Sequence, residues 1–135
     1  MAKTIAVAGK GGTGKSTLAS LLVLGLVARG KVPVLAIDAD ADANLHRLLG
    51  LPAPGTVGNL REEVRTALQD FPAGMSRVQY LEAGLHEVIA ESAGFDLLTM
   101  GRGEGAGCYC YLNNLIRKFS QNKAQSQDYK RERAV

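Results

Sequence analysis

The sequence has few cysteines and no long apolar run, and each scarcity excludes a class of protein. Two cysteines among 135 residues are too few for a secreted domain held together by disulfides. The longest apolar run, Leu21–Ala28, has eight residues, whereas roughly 20 are needed to span a bilayer. No signal-peptide pattern accompanies this run. We therefore expect a cytoplasmic protein with reduced thiols and no membrane partner.

Basic and acidic side chains also balance over most of the chain. Residues 1–117 contain 11 basic and 11 acidic side chains, and residues 118–135 carry the whole net charge of +3. The body of the chain therefore lacks the basic excess typical of nucleic-acid binders, and we expect no nucleic-acid partner. Hydrophobic residues make up 46% of the sequence and charged residues 21%, which is typical of a globular domain.

Apolar patterning predicts strands and helices in alternation. A continuous apolar run over residues 4–8 predicts a buried strand, a second buried strand is predicted over residues 32–37, and a third strand over residues 95–100. Helical spacing predicts five helices, over residues 17–29, 41–51, 59–68, 78–89 and 112–119. We expect the first helix to be mostly buried and capped by Gly30, and the third to open with a capping box at Asn59 and Glu62. The order predicts an α/β fold, a parallel sheet of about three strands flanked by helices.

A glycine-rich motif joins the first predicted strand to the first predicted helix. The run Gly9-Lys10-Gly11-Gly12-Thr13-Gly14-Lys15-Ser16 matches the phosphate-binding pattern G-x-x-x-x-G-K-[ST] in its required context. Glycines let backbone N–H groups turn inward around an anion, and the helix start adds its positive end. Lys15 can reach the β- and γ-phosphates of ATP, and the Ser16 hydroxyl can bind Mg²⁺. The predicted nucleotide contacts are Gly9, Gly11, Gly12, Thr13, Gly14, Lys15, Ser16 and Thr17.

A second lysine in the loop narrows the class of phosphate-binding protein that the motif indicates. Lys10 precedes Lys15 by five residues, and Lys-Gly-Gly-Thr-Gly-Lys-Ser resembles the deviant Walker A ATPases, which include septum-positioning, plasmid-partition and arsenite-pump ATPases and the nitrogenase iron protein. The resemblance implies a P-loop NTPase fold, a homodimer and ATP hydrolysis in which Lys15 is catalytic. It also implies that Lys10 reaches the partner subunit's nucleotide, where its charge acts as an arginine finger does.

Three aspartates follow the second predicted strand, at the edge where ligands of open α/β sheets bind. Asp38, Asp40 and Asp42 share one face if the segment is extended. The family resemblance implies that Asp40 orients the attacking water and that Asp38 helps to hold Mg²⁺. For Asp42 we favour a different role, as the N-cap of the following helix.

The two cysteines form a Cys-x-Cys pair, Cys108 and Cys110, after a loop with four glycines. Two thiolates leave a tetrahedral zinc site half complete, and a two-fold dimer would supply the other two. The run from Gly101 to Leu115 resembles the nickel-insertion ATPases that serve carbon monoxide dehydrogenase. This resemblance covers residues 1–119 and implies that a homodimer binds Ni²⁺ or Zn²⁺ at the cysteines and delivers nickel to carbon monoxide dehydrogenase. Tetrahedral thiolate coordination by itself favours Zn²⁺.

Residues 120–135 form a polar basic tail that matches nothing in the family. The family continues with a strand that ends in the Walker B aspartate, and no comparable apolar run follows residue 119. We hypothesise a truncated or frame-shifted product, with residues 1–119 as the N-terminal part of an ATPase domain. The short sheet would then have an exposed edge, so we expect poor solubility or dependence on a partner.

Three functions are consistent with these patterns. We favour an ATP-dependent metallochaperone for nickel insertion. The alternatives are a partition- or positioning-type ATPase that binds DNA or membrane, and a P-loop remnant that cannot hydrolyse ATP.

Overall fold

A computed structural model describes residues 3–66 and 74–102 of the chain. They form a mixed sheet of three strands, β1 (Val34–Asp38), β2 (Ala90–Glu91) and β3 (Phe95–Thr99), in the order β1–β3–β2. β1 runs parallel to β3, whereas the short β2 pairs with β3 antiparallel. The α/β fold expected from the sequence, with parallel strands flanked by helices, is confirmed.

Within the described residues, four helices surround this sheet: α1 (Lys15–Ala28), α2 (Leu45–Leu48), α3 (Val57–Thr66) and α4 (Arg77–Val88). The last three lie between β1 and β3 in sequence, as the crossover between parallel strands requires. None of the helices in the described residues has the length and apolarity to cross a bilayer. The helix predicted over residues 112–119 lies outside the described residues.

Two apolar clusters hold the helices against opposite faces of β3. Side chains alternate between the faces of a strand, so Phe95 and Leu97 pack with α1 and α2, whereas Leu98 packs with α3 and α4. Every residue of β3 is buried. This double burial is consistent with the apolar residues Phe95, Leu97 and Leu98 of the strand, while Asp96 and Thr99 are polar residues buried among them.

The first predicted strand is not part of the sheet. Residues 3–9 have no regular secondary structure, and Ile5 is 63% exposed. A buried parallel strand needs paired neighbours, and within residues 3–66 and 74–102 no strand pairs with this segment. The prediction of a strand over residues 4–8 is therefore wrong for the structure of the described residues.

The first helix is less buried than predicted. α1 buries only Ser20 and Val23, because one side alone meets α2 and β1. Its exposed large apolar side chains are Leu18, Leu21 and Leu24. Gly30 ends α1 as predicted, although Arg29 is the C-cap: Gly30 follows it with a φ angle of 67°, and its N–H donates to the carbonyl of Val27 at 2.9 Å.

Two predicted helix starts are displaced. Thr56, not Asn59, caps α3, because its Oγ1 accepts the N–H of Asn59 at 3.1 Å. The capping box lies instead at the start of α4, where Ser76 and Gln79 exchange side-chain-to-backbone bonds. Of the helix predicted over residues 41–51, only the four residues of α2 are helical. Residues 39–44 are instead held in turns by aspartate side chains.

Truncation of Leu97 tests the central position of β3. Leu97 is 0% exposed, so we expect Leu97→Ala to lower the free energy of unfolding by about 2–5 kcal/mol through lost contacts and a residual cavity. Urea denaturation followed by circular dichroism measures the change. The control is Leu21→Ala, since Leu21 is 62% exposed and its truncation should cost less than about 0.5 kcal/mol. Equal effects of the two substitutions would contradict this assignment of the core.

Candidate functional site

The glycine-rich loop turns directly into α1, as predicted. Gly12 and Gly14 have φ angles of 74° and 85°, in the left-handed region that strains other residues. Gly14 is the N-cap of α1, and its carbonyl accepts the N–H of Leu18 at 2.9 Å. Because Gly14 has no side chain to cap the helix and the first turn has no acidic residue, the first amides of α1 are open to an anion.

The carbonyl of Lys10 holds two side chains of the loop. It accepts a hydrogen bond from Thr13 Oγ1 at 2.7 Å and one from Lys15 Nζ at 2.9 Å. The Lys15 ammonium is thus folded back over the loop. An anion at the helix start would offer it a stronger, charge-assisted partner than a neutral carbonyl.

Asp38 ends β1 and organises the loop that follows. It is 6% exposed, and each carboxylate oxygen accepts a backbone N–H: Oδ1 from Asp40 at 3.1 Å and Oδ2 from Leu45 at 3.0 Å. Its carbonyl accepts the N–H of Met100 at 2.8 Å, beyond the end of β3. These bonds compensate the cost of burying a carboxylate and fix both ends of residues 39–44.

Asp42 is not the N-cap that the sequence predicted. α2 begins at Leu45, and the amide at that start is satisfied by Asp38 instead. Asp42 N–H donates to Asp40 Oδ1 at 3.0 Å, which makes a turn of the aspartate type. The Asp42 carboxylate lies 3.6 Å from the guanidinium of Arg102, and both side chains are exposed, so this ion pair contributes little stability.

The loop and the aspartates line one groove of about 450 Å³ between α1 and β1. Its lining includes Gly9, Lys15, Ser16, Asp38 and Asp40. Three of the eight predicted phosphate-binding residues and two of the three aspartates therefore line the same groove, whereas Gly11, Gly12, Thr13, Gly14 and Thr17 are not part of its lining.

The donors in this groove suit a magnesium ion. The Ser16 hydroxyl and the Asp38 carboxylate are hard oxygen ligands, and Mg²⁺ typically takes one or two protein ligands while keeping waters and phosphate oxygens. The described residues contain no group of three or more potential metal-ligating side chains. Cys108 and Cys110, the predicted ligands for Ni²⁺ or Zn²⁺, lie outside the described residues.

Sequence reasoning missed one residue beside the site. Thr99 lies opposite Asp38 in the register of β1 and β3, and it is 1% exposed. Its Oγ1 has no hydrogen-bond partner within residues 3–66 and 74–102. In the sequence, Thr99 could have been singled out because it is the one hydroxyl residue among the apolar residues at the end of the predicted strand.

A glycine-rich loop that leads into a helix with an open start, together with two aspartates at the carboxyl edge of the sheet, defines a P-loop nucleotide-binding domain. Comparison with protein families agrees. Residues 4–131 match the model of the CobQ/CobB/MinD/ParA nucleotide binding domain, and the chain belongs to this family.

Curated relatives give the same class of protein. The chain is 41% identical over 127 residues to the "Uncharacterized ATP-binding protein MJ0685" of Methanocaldococcus jannaschii, which covers 93% of this chain and 50% of that protein. It is 36% identical over 127 residues to the carbon monoxide dehydrogenase accessory protein CooC of Rhodospirillum rubrum, covering 84% and 46%. The chain thus spans about half the length of the curated relatives it matches. No solved structure gives a significant match to it.

Substitution of Asp38 tests its structural bonds. Asp38→Asn turns one acceptor oxygen into an N–H donor that faces a backbone N–H, so we expect the free energy of unfolding to fall by about 1–3 kcal/mol. Hydrogen exchange should accelerate at the amides of Asp40 and Leu45. The matched control, Asp42→Asn, should change stability by less than about 0.5 kcal/mol, because Asp42 is exposed. If exchange at these two amides is unchanged in Asp38→Asn, the assigned bonds are wrong.

Proposed function

We propose that this chain acts as an ATP-dependent metallochaperone that prepares nickel for insertion into carbon monoxide dehydrogenase. The observation that carries the ATP-dependent part is the shared groove: the Lys15 ammonium, the open start of α1 and two aspartates line one site. The nickel part is supported by the Cys-x-Cys pair and by the similarity to CooC, which is named as an accessory protein of that enzyme.

Phosphate binding uses groups already in place. The amides at the start of α1 receive phosphate oxygens, and Lys15 exchanges the Lys10 carbonyl for the β- and γ-phosphates. The glycines allow the backbone to approach the anion without a clash from side chains. Binding therefore requires little rearrangement beyond the Lys15 side chain.

Water activation is assigned to Asp40. Its side chain is exposed in the groove, and its Oδ1 already accepts the N–H of Asp42. The second carboxylate oxygen can accept a hydrogen bond from a water beside the terminal phosphate. Asp38 fixes this arrangement, since its Oδ1 holds the Asp40 amide.

Magnesium would be held by the Ser16 hydroxyl and, through water, by Asp38. The ion neutralises charge on the phosphate oxygens when it is bound. Asp38 can serve here while keeping its two backbone bonds, because each carboxylate oxygen has a further lone pair.

A second subunit would complete both reactive sites. The Lys10 side chain is exposed, so it is free to reach a nucleotide held by the partner. Cys108 and Cys110 of two subunits would together offer four thiolates to one nickel or zinc ion. ATP then biases an interface between closed, metal-holding dimers and open, metal-releasing ones.

Substitution of the two loop lysines separates binding from turnover. Lys15→Ala should weaken ATP binding by about 10- to 100-fold, since it removes charge-assisted bonds. Lys10→Ala should bind ATP normally but lose turnover by about 10³-fold, as when an arginine finger is removed. Equilibrium binding of labelled ATP and a phosphate-release assay measure these effects.

The control is Lys31→Ala, because Lys31 is an exposed lysine outside the groove. Full turnover by Lys10→Ala contradicts a role across the dimer, and a wild-type chain that binds ATP without turnover supports the non-hydrolysing alternative.

The cysteine pair is tested by metal binding. Wild-type chain dialysed against Ni²⁺ or Zn²⁺ should retain one ion per two chains, and the double variant Cys108→Ser/Cys110→Ser should retain none. Tyr109→Phe keeps both thiols and is the control. Stoichiometric metal in the double variant would contradict the assignment. Absence of metal in the wild type, with salt-sensitive DNA binding that survives removal of residues 120–135, would favour the partition-type alternative.

A further inference from the structure

Thr99 carries a buried hydroxyl that has no hydrogen-bond partner in the part of the chain that the structure describes. The residue is 1% exposed, and a buried hydroxyl normally bonds to a neighbouring protein group. An unpaired one lowers stability, because its bonds to water in the unfolded chain are lost and not replaced. A valine at this position would have nearly the same shape without that cost.

The Thr99 hydroxyl and the Asp38 carboxylate lie on the same face of the sheet. The register of β1 and β3 places the two residues side by side, and neighbouring strands are about 4.8 Å apart. Alternation along β3 puts the Thr99 side chain on the face of Phe95 and Leu97, which α1 and α2 cover. The Asp38 side chain also points to this face, since its Oδ2 accepts the N–H of Leu45 at the start of α2.

The Asp38 carboxylate can accept more hydrogen bonds than it does. Its two oxygens offer about four lone-pair positions, and the N–H groups of Asp40 and Leu45 occupy two of them. A third serves the magnesium site proposed above. One position remains for a further donor, and the Thr99 hydroxyl is a donor on the same face of the sheet.

We propose that Thr99 is a positioning residue of the magnesium site, and that its hydroxyl donates to the Asp38 carboxylate in the chain with Mg²⁺–ATP bound. This bond holds the carboxylate in the orientation that serves the ion. Because the hydroxyl is unpaired in the free chain and paired in the bound one, it favours the bound form. The role rests on the proposed function, since only that function assigns magnesium to Asp38.

Burial makes the effect of a single hydroxyl measurable. Asp38 is 6% exposed and Thr99 is 1% exposed, so water competes little for either group. A hydrogen bond to a charged group is about twice as strong as one between neutral groups. The loss of one such bond corresponds to a change of about tenfold in a binding constant.

Two substitutions of Thr99 separate positioning from packing. The measured quantity is the ratio of the ATP dissociation constant in EDTA to that in saturating Mg²⁺. Thr99→Val removes the hydroxyl, so this ratio should fall about tenfold while affinity in EDTA stays within about twofold of wild type. The free Thr99→Val chain should unfold at a higher urea concentration than wild type, because an unpaired buried group is gone.

Thr99→Ser should give the opposite pattern. It keeps the hydroxyl and loses a buried methyl group, so the free chain should unfold at a lower urea concentration. The ratio of the two ATP dissociation constants should stay within about twofold of wild type, because the donor is still present. A purely structural role would make the ratio follow the stability of the two variants, and this design separates the two quantities.

Ser20→Ala is the matched control. Ser20 is 5% exposed, and its hydroxyl already donates to the carbonyl of Thr17 at 2.8 Å. Ser20 does not line the groove, so loss of this buried hydroxyl should leave the ratio within about twofold of wild type.

Three results would overturn the role of Thr99. A lower urea midpoint for Thr99→Val would show that the hydroxyl already has a partner in the free chain. An unchanged ratio in Thr99→Val, together with a lower ratio in Ser16→Ala, would retain the magnesium site and remove Thr99 from it. A wild-type chain that binds ATP equally well in Mg²⁺ and in EDTA would overturn the magnesium site and the role of Thr99 together.

Discussion

Asp38 connects the sheet to the nucleotide-binding groove, and the arrangement of the site depends on it. Its backbone ends β1, where its carbonyl accepts the N–H of Met100 beyond β3. Its carboxylate holds the amides of Asp40 and Leu45. One residue therefore extends the contact between the two parallel strands by one bond and fixes the path of residues 39–44 to the start of α2. A buried carboxylate is stable here because both of its oxygens have donors.

Strand β3 is the buried element beside which Asp38 is positioned. It is buried on both faces, with α1 and α2 on one side and α3 and α4 on the other. The register places Thr99 of β3 opposite Asp38, so the carboxyl ends of both strands reach the same edge. The phosphate loop precedes α1, and the groove between α1 and β1 is lined by the Lys15 ammonium, Ser16 and the carboxylates of Asp38 and Asp40.

The sequence was sufficient to predict the features that depend on local chemistry. The glycine pattern predicted the loop and its turn into α1, since the positive φ angles of Gly12 and Gly14 demand glycine. The apolar runs predicted β1 and β3, and Gly30 predicted the end of α1. These features are encoded within a few neighbouring residues.

Features that depend on distant partners could not be predicted in the same way. The run Thr4–Ala8 has strand propensity, yet a strand forms only where another backbone pairs with it, and none does so within the described residues. Helix α1 is apolar around most of its surface, and only the packing of the whole domain decides which side is covered. The first amide of α2 donates to the carboxylate of Asp38, seven residues before Leu45, and local capping patterns, which predicted Asp42, do not extend over that distance.

The central claim is that the loop and the start of α1 recognise the β- and γ-phosphates of a nucleotide. Calorimetric titration of the full chain with Mg²⁺–ATP and, separately, with AMP tests it most directly, because AMP keeps the base, the sugar and one phosphate. ATP should bind about 100-fold more tightly than AMP, because AMP lacks the two phosphates that accept the charge-assisted bonds. Equal affinity for ATP and AMP, or no binding of ATP, would contradict it.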